Sequence, residues 1–189
     1  MRQTFAALAL FSLAYFFWPY IALFDLYISL ETADKKSVQG SIDWPPLKKE
    51  LKVDILRFID FQLKEGQKGK RTRVSFDSNS LAQQVVDQVA TPEGIIFLYH
   101  HPDDFIKNIK EVFEKTANPQ KLSLPEKEKP FSLEGPNFSS LMNRIQYLFF
   151  TSFSTFKIEF KIHKKLFVMK MQRQGFSWQV VHLRLPLGA

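Results

Sequence analysis

The chain has 189 residues, 45% hydrophobic and 24% charged, with twenty phenylalanines and a formal net charge of +7, enough for a core-bearing domain. It has no cysteine, which excludes disulfides, thiolate metal sites, thiol catalysis and a lipid-modified N-terminal cysteine. The basic balance favours anionic partners such as phospholipid headgroups; nucleic acid is disfavoured, because no aromatic residues interleave a basic stripe.

From Gln3 to Phe24 there is no charge, and Arg2 precedes that run. Cleavage as a secretory signal is disfavoured: the small-residue triplet Ser12–Ala14 would leave the apolar YFFWPYIALF as a new N-terminus. As a helix, residues 4–20 span roughly 25 Å, near the lower limit for a bilayer. Trp18, Pro19 and Tyr20 mark the exit. The expectation is a signal-anchor transmembrane helix over residues 1–20, followed by one domain over residues 21–189. Arg2 on one flank, with Asp25 and Glu31 on the other, puts the N-terminus in the cytoplasm. The domain of this single-pass inner-membrane protein then faces the periplasm.

Asp25, Ser29, Thr32 and Lys36 recur as one polar stripe, which predicts a helix over residues 21–33. Ser37 caps a short helix that stops near Gly40. Asp43 is the next N-cap, with Pro45 and Pro46 in the first turn. Leu47, Leu51, Ile55, Phe58, Ile59 and Leu63 then keep helical spacing until Gly66. After a basic loop and a short edge strand in RVSF (73–76), Ser78 or Ser80 opens a helix carrying Leu81, Val85, Val86 and Val89. Thr91 caps another, with Pro92 at its first position, and HHPDDF turns into a helix with Phe105, Ile106, Ile109, Val112 and Phe113 on one side. Residues 117–138, with four prolines, read as an extended surface loop.

The final third changes period. Phe156, Ile158, Phe160 and Ile162 alternate with Lys157, Glu159, Lys161 and His163, as in a half-buried strand. KLFVMKMQR and SWQVVHLRL complete a meander, and IQYLFF (145–150) is a candidate fourth strand. Helices first and sheet last is the α+β pattern: amphipathic helices packed on a C-terminal antiparallel sheet of three to four strands.

WPY, DWPPLKK, VDQVATPEG and RQGFSWQVVHLRLP, in that order over most of the chain, resemble an uncharacterised bacterial family of small signal-anchored proteins, a domain of unknown function. The resemblance implies an inner-membrane protein facing the periplasm and supplies no reaction and no catalytic residues. The element order, with its late W-x-V-V strand, is also similar at the level of the fold to NTF2-like and cystatin-like domains. Those folds host enzymes, binding modules and assembly domains alike.

His100, His101, Asp103 and Asp104 are metal-type ligands. Adjacent histidines diverge on any regular element, however, and a turn with Asp103 capping the next helix accounts for them; no cofactor is expected. His163 falls on the polar side of its strand. His182 shares a face with Trp178, Val180 and Arg184, so Trp178, His182 and Arg184 are the candidate binding residues. No G-x-S-x-G, phosphate loop or G-x-G-x-x-G occurs. The favoured function is a binding or assembly module, not an enzyme, for an envelope protein or a small apolar ligand. The alternatives are an NTF2-like enzyme acting on an envelope lipid or sugar, and a basic domain that only associates with anionic membrane surface.

Overall fold

The structure, a computed structural model, describes residues 2–66, 78–114, 138–162 and 165–187. In chain order the elements are α1 (Arg2–Glu31), α2 (Lys35–Ser41), α3 (Trp44–Gly66), α4 (Ser78–Val89), α5 (Pro92–His100), α6 (Pro102–Glu114) and α7 (Phe138–Arg144). Then follow β1 (Ile145–Ser152), β2 (Thr155–Ile162), β3 (Lys165–Gln174) and β4 (Ser177–Arg184). The α+β order expected from the sequence is present, with four strands. The proposed RVSF strand, His163 and most of the 117–138 loop lie outside the described residues.

Two expectations about the N-terminus need correction. Helix α1 runs unbroken through Pro19, so Trp18–Tyr20 do not separate two elements. Nor is the expected transmembrane helix there: among the described residues no helix is long and apolar enough to cross a membrane. From Phe16 onward the helix spends much of its apolar surface on the domain itself. The Phe16 ring lies 5.5 Å from Phe150 and the Tyr20 ring 4.9 Å from Phe156, while Leu23, Leu26 and Tyr27 are buried. These contacts hold the helix on both sides of the proline and offset its missing N–H donor.

The expected polar stripe is also interrupted. Ser29 is buried, and its Oγ satisfies itself by donating to the Asp25 carbonyl at 2.7 Å. The helix closes in a Schellman turn, with Asp34 N donating to Ser29 O at 2.9 Å and Ala33 N to Leu30 O at 3.2 Å. Ala33 takes the left-handed position, φ 52°, usually given to glycine. Asp34, and not Ser37, then caps α2: its carboxylate accepts from Lys36 N and Ser37 N. Ser37 lies inside the first turn, where its hydroxyl donates to Asp34 Oδ2 at 2.6 Å and adds a third hydrogen bond to the capping carboxylate. The Ser37 hydroxyl and backbone N–H hold the Asp34 pKa below its ordinary value.

Asp43 precedes α3 and its carbonyl accepts from Leu47 N. Thr91 caps α5 by accepting from Gly94 N at 3.1 Å, with Pro92 at the first position, as the sequence predicts.

The sheet is an antiparallel meander in the order β1-β2-β3-β4. Phe156, Ile158, Ile162, Phe167, Met169 and Met171 are buried on the face that meets the helices. Leu148 and Phe150 of β1 continue that face through their pairing with Ile158 and Phe156. A parallel bridge from Ile42 to Val180, with Asp43 N donating to Val180 O at 2.9 Å, ties the α2–α3 link to β4.

Strand β4 carries an irregularity. Lys170 faces His182 and Met171 faces Val180, so the strand holds one extra residue there. A bulge of this kind reverses which residues face inward. Trp178 and Val180 face the core before it, and Leu183, opposite the buried Met169, faces the core after it.

Candidate functional site

Four elements end around one polar cavity of about 300 Å³, lined by Glu31, Tyr99, His100, Arg144, Lys161 and Ile162. Helix α1 delivers Glu31 at its C-terminus, α5 delivers Tyr99 and His100, α7 delivers Arg144, and β2 delivers Lys161 and Ile162. Tyr99 is the hub. Its hydroxyl donates to Glu31 Oε1 at 2.5 Å and accepts from the Arg144 guanidinium at 3.3 Å. Burial, followed by the hydrogen bond to Glu31, pushes the Tyr99 phenol well above its ordinary pKa. At any physiological pH it is therefore a neutral donor and not a base. His100 Nε2 lies 2.9 Å from the Leu30 carbonyl, which fixes the ring against the last turn of α1. Lys161 has no ion-pair partner among the described residues and brings a cation to the cavity.

An apolar cavity of about 50 Å³ adjoins this one between α1, α5 and the sheet, with Leu26, Leu30, Ile95, Leu98 and Met169 in its wall. It has room for roughly three water-sized groups. Tyr99 and Ile162 line both cavities, so the polar one lies against the apolar one.

The residues predicted from sequence are divided by the fold. Trp178 is buried against Phe150 and Phe156, at ring distances of 5.8 and 6.5 Å. The bulge puts His182 and Arg184 on the opposite side of β4 from Trp178, which corrects their expected shared face. His182 and Arg184 do come together, around α3. His182 Nδ1 lies 3.6 Å from Glu50 Oε2 and its Nε2 3.7 Å from Asp54 Oδ2, while Arg184 Nε is 4.0 Å from the same Asp54 oxygen. Both Asp54 Oδ2 and His182 Nε2 are buried and lack a hydrogen-bond partner. None of Trp178, His182 and Arg184 lines either cavity.

The HHPDD residues diverge. His100 joins the polar cavity, His101 ends α5 with its ring 5.3 Å from Phe97, and Asp103 pairs with Lys165 Nζ at 2.5 Å. Asp104 lies in the first turn of α6. Among the described residues no group of three His, Cys, Asp or Glu is placed to hold a metal ion.

Glu31, Tyr99, Arg144 and Lys161 were not singled out from sequence. The available signal was positional: Glu31 follows ISL, Tyr99 follows IIFL, and Arg144 stands just before IQYLFF. Each of these three is a polar residue closing or opening an apolar run.

Residues 8–98 match the family model described as a protein of unknown function, DUF2939. The expected resemblance to an uncharacterised family holds over that segment. The DUF2939 match takes in WPY, DWPPLKK and VDQVATPEG and ends just before Tyr99, so RQGFSWQVVHLRLP and the whole sheet lie beyond it. The chain matches no curated protein and no solved structure; the likeness to NTF2-like and cystatin-like domains rests on element order alone.

Proposed function

We propose that the α+β domain is a binding module for a small amphipathic molecule with an anionic head. The observation behind this reading is the pair of adjoining cavities that share Tyr99 and Ile162. The anionic head meets Arg144 and Lys161 and accepts hydrogen bonds; the apolar end points toward Leu30 and Leu98. Arg144 is the main determinant, because a guanidinium forks onto a carboxylate or phosphate. The polar cavity has the volume of an ordinary small-molecule site. An enzymatic reading centred on His182 has less support, since neither cavity reaches that residue.

Butyrate, whose three carbons beyond the carboxylate match the apolar cavity, is a suitable probe, measured by isothermal titration calorimetry on the full chain. Arg144→Gln is expected to weaken butyrate about tenfold, and butanol to bind about tenfold more weakly than butyrate. Equal affinities for butyrate and butanol, or for the wild type and Arg144→Gln, would overturn the reading.

A further inference from the structure

In an antiparallel meander the β1–β2 and β3–β4 turns lie at the same end of the sheet. Here each turn presents a phenylalanine to solvent. Phe153 is 83% exposed and Phe176 87%, the two most exposed large hydrophobic residues among those described. Helix α1 is fastened to that end. The Tyr15 hydroxyl donates to the Phe153 carbonyl, and the Arg173 guanidinium sits 4.9 Å over the Tyr15 ring. Next to Tyr15, the exposed side chains of Phe16, Phe17, Trp18 and Ile21 extend the apolar surface.

The charge distribution sets this end apart. Across residues 3–24, 149–156 and 173–178 the single charged residue is Arg173, in a chain of which 24% is charged. Single rings standing on two hairpin tips form a protruding surface, unlike the patch of about 800 Å² that a stable protein interface needs on each partner. Protruding rings beside Trp and Tyr suit the headgroup boundary of a bilayer, where aromatic side chains bury an apolar body and keep a polar tip wet. Cationic Arg173 and the overall charge of +7 add attraction to anionic lipid.

We infer that this end of the sheet seats in the interfacial layer of an anionic lipid bilayer, with Phe153 and Phe176 immersed and Trp18 at headgroup level, without crossing it. The inference does not depend on the amphipathic ligand proposed for the cavities.

The absence of cysteine makes the test direct. Phe153→Cys and Phe176→Cys, each labelled with an environment-sensitive fluorophore in the full chain, report on the tips; Leu166→Cys, exposed at the opposite end of β3, is the control. The probes are vesicles of phosphatidylcholine and of an equal mixture with phosphatidylglycerol. Emission from the tip labels is expected to rise severalfold on the mixed vesicles and to be quenched by brominated lipid, while the Leu166→Cys label stays aqueous. A Phe153→Ser/Phe176→Ser double variant is expected to lower vesicle partition about tenfold or more. Tip labels that stay aqueous on vesicle-bound protein would overturn the inference. So would equal responses at both ends, or shielding of the tips without lipid in a larger species, which would assign this end to a protein contact.

Discussion

Replacing Tyr99 by phenylalanine removes one oxygen and nothing else, so it isolates the hub of the polar cavity. At neutral pH the lost group is the donor to Glu31 and the acceptor from Arg144. A hydrogen bond to a charged partner contributes about 1.5–3 kcal/mol when well buried, and the partial exposure of this network brings the expected cost nearer to about 1 kcal/mol. The alkaline limb is more diagnostic. An unfolded tyrosine loses its proton near pH 10, whereas folded Tyr99 keeps its proton well above that. Over that window the folded state binds more protons than the unfolded one, so stability is complete below about pH 10 and declines as pH rises. One such proton accounts for at most about 1.4 kcal/mol between about pH 9 and about pH 11, and solvent screening lowers this to about 1 kcal/mol. Urea denaturation of the wild type and of Tyr99→Phe, followed by tryptophan fluorescence across that range, measures the difference. The other tyrosines and the lysines are common to both proteins and cancel. The two stabilities should converge as pH rises; parallel lines would show that the phenol is not held protonated by its surroundings.

Two substitutions, one to glycine and one from it, should act in opposite directions in thermal melts. Ala33→Gly relieves the left-handed residue of the α1 terminus and should stabilise by about 0.5–1 kcal/mol; no gain would mean the turn is not closed as described. Gly94→Ala places a methyl 2.3 Å from the Val89 carbonyl oxygen and should cost about 3 kcal/mol or more; a neutral outcome would contradict the packing of α4 on α5. Phe156→Ala removes a fully buried ring that touches Tyr20, Phe150 and Trp178; a loss of about 3–5 kcal/mol in urea is expected, and under 1 kcal/mol would refute its central place. Around His182, a double-mutant cycle with Asp54→Leu and His182→Leu should show coupling of about 1–2 kcal/mol, the double variant being closer to wild type than either single one. Additive effects would mean the two groups do not interact.

Where local chemistry decides the outcome, the sequence was a sufficient guide. Thr91 with Pro92 opens α5, and the alternation of Phe156, Ile158, Phe160 and Ile162 against lysines and glutamate is the observed two-sided strand. Helix α1 misled for a physical reason: lipid and a protein core reward the same apolar residues, and composition does not separate them. Phe16 and Tyr20 turn out to meet Phe150 and Phe156, more than 130 residues away in sequence. The face of His182 was misassigned because one extra residue in β4 reverses every later side chain, and nothing in SWQVVHLRL marks it. The polar cavity was hidden differently. Its residues come from four separate elements, so no spacing between them exists to be read.

The contacts that close this fold join its two ends. Tyr20 meets Phe156, Gln179 donates to the Gly40 carbonyl at 2.9 Å, and Gln174 donates to Asp43 at 3.0 Å. During synthesis, α1 to α3 therefore leave the ribosome before the sheet that covers them exists. At about 5–20 residues per second, the wait for β2 to β4 lasts on the order of 10–30 s. The hairpins themselves then close in microseconds. Until then Phe16 and Tyr20, whose partners Phe150 and Phe156 lie in the sheet, have no internal surface to bury against, and whatever shields that part of α1 in the interval, chaperone or lipid, decides the yield of folded protein.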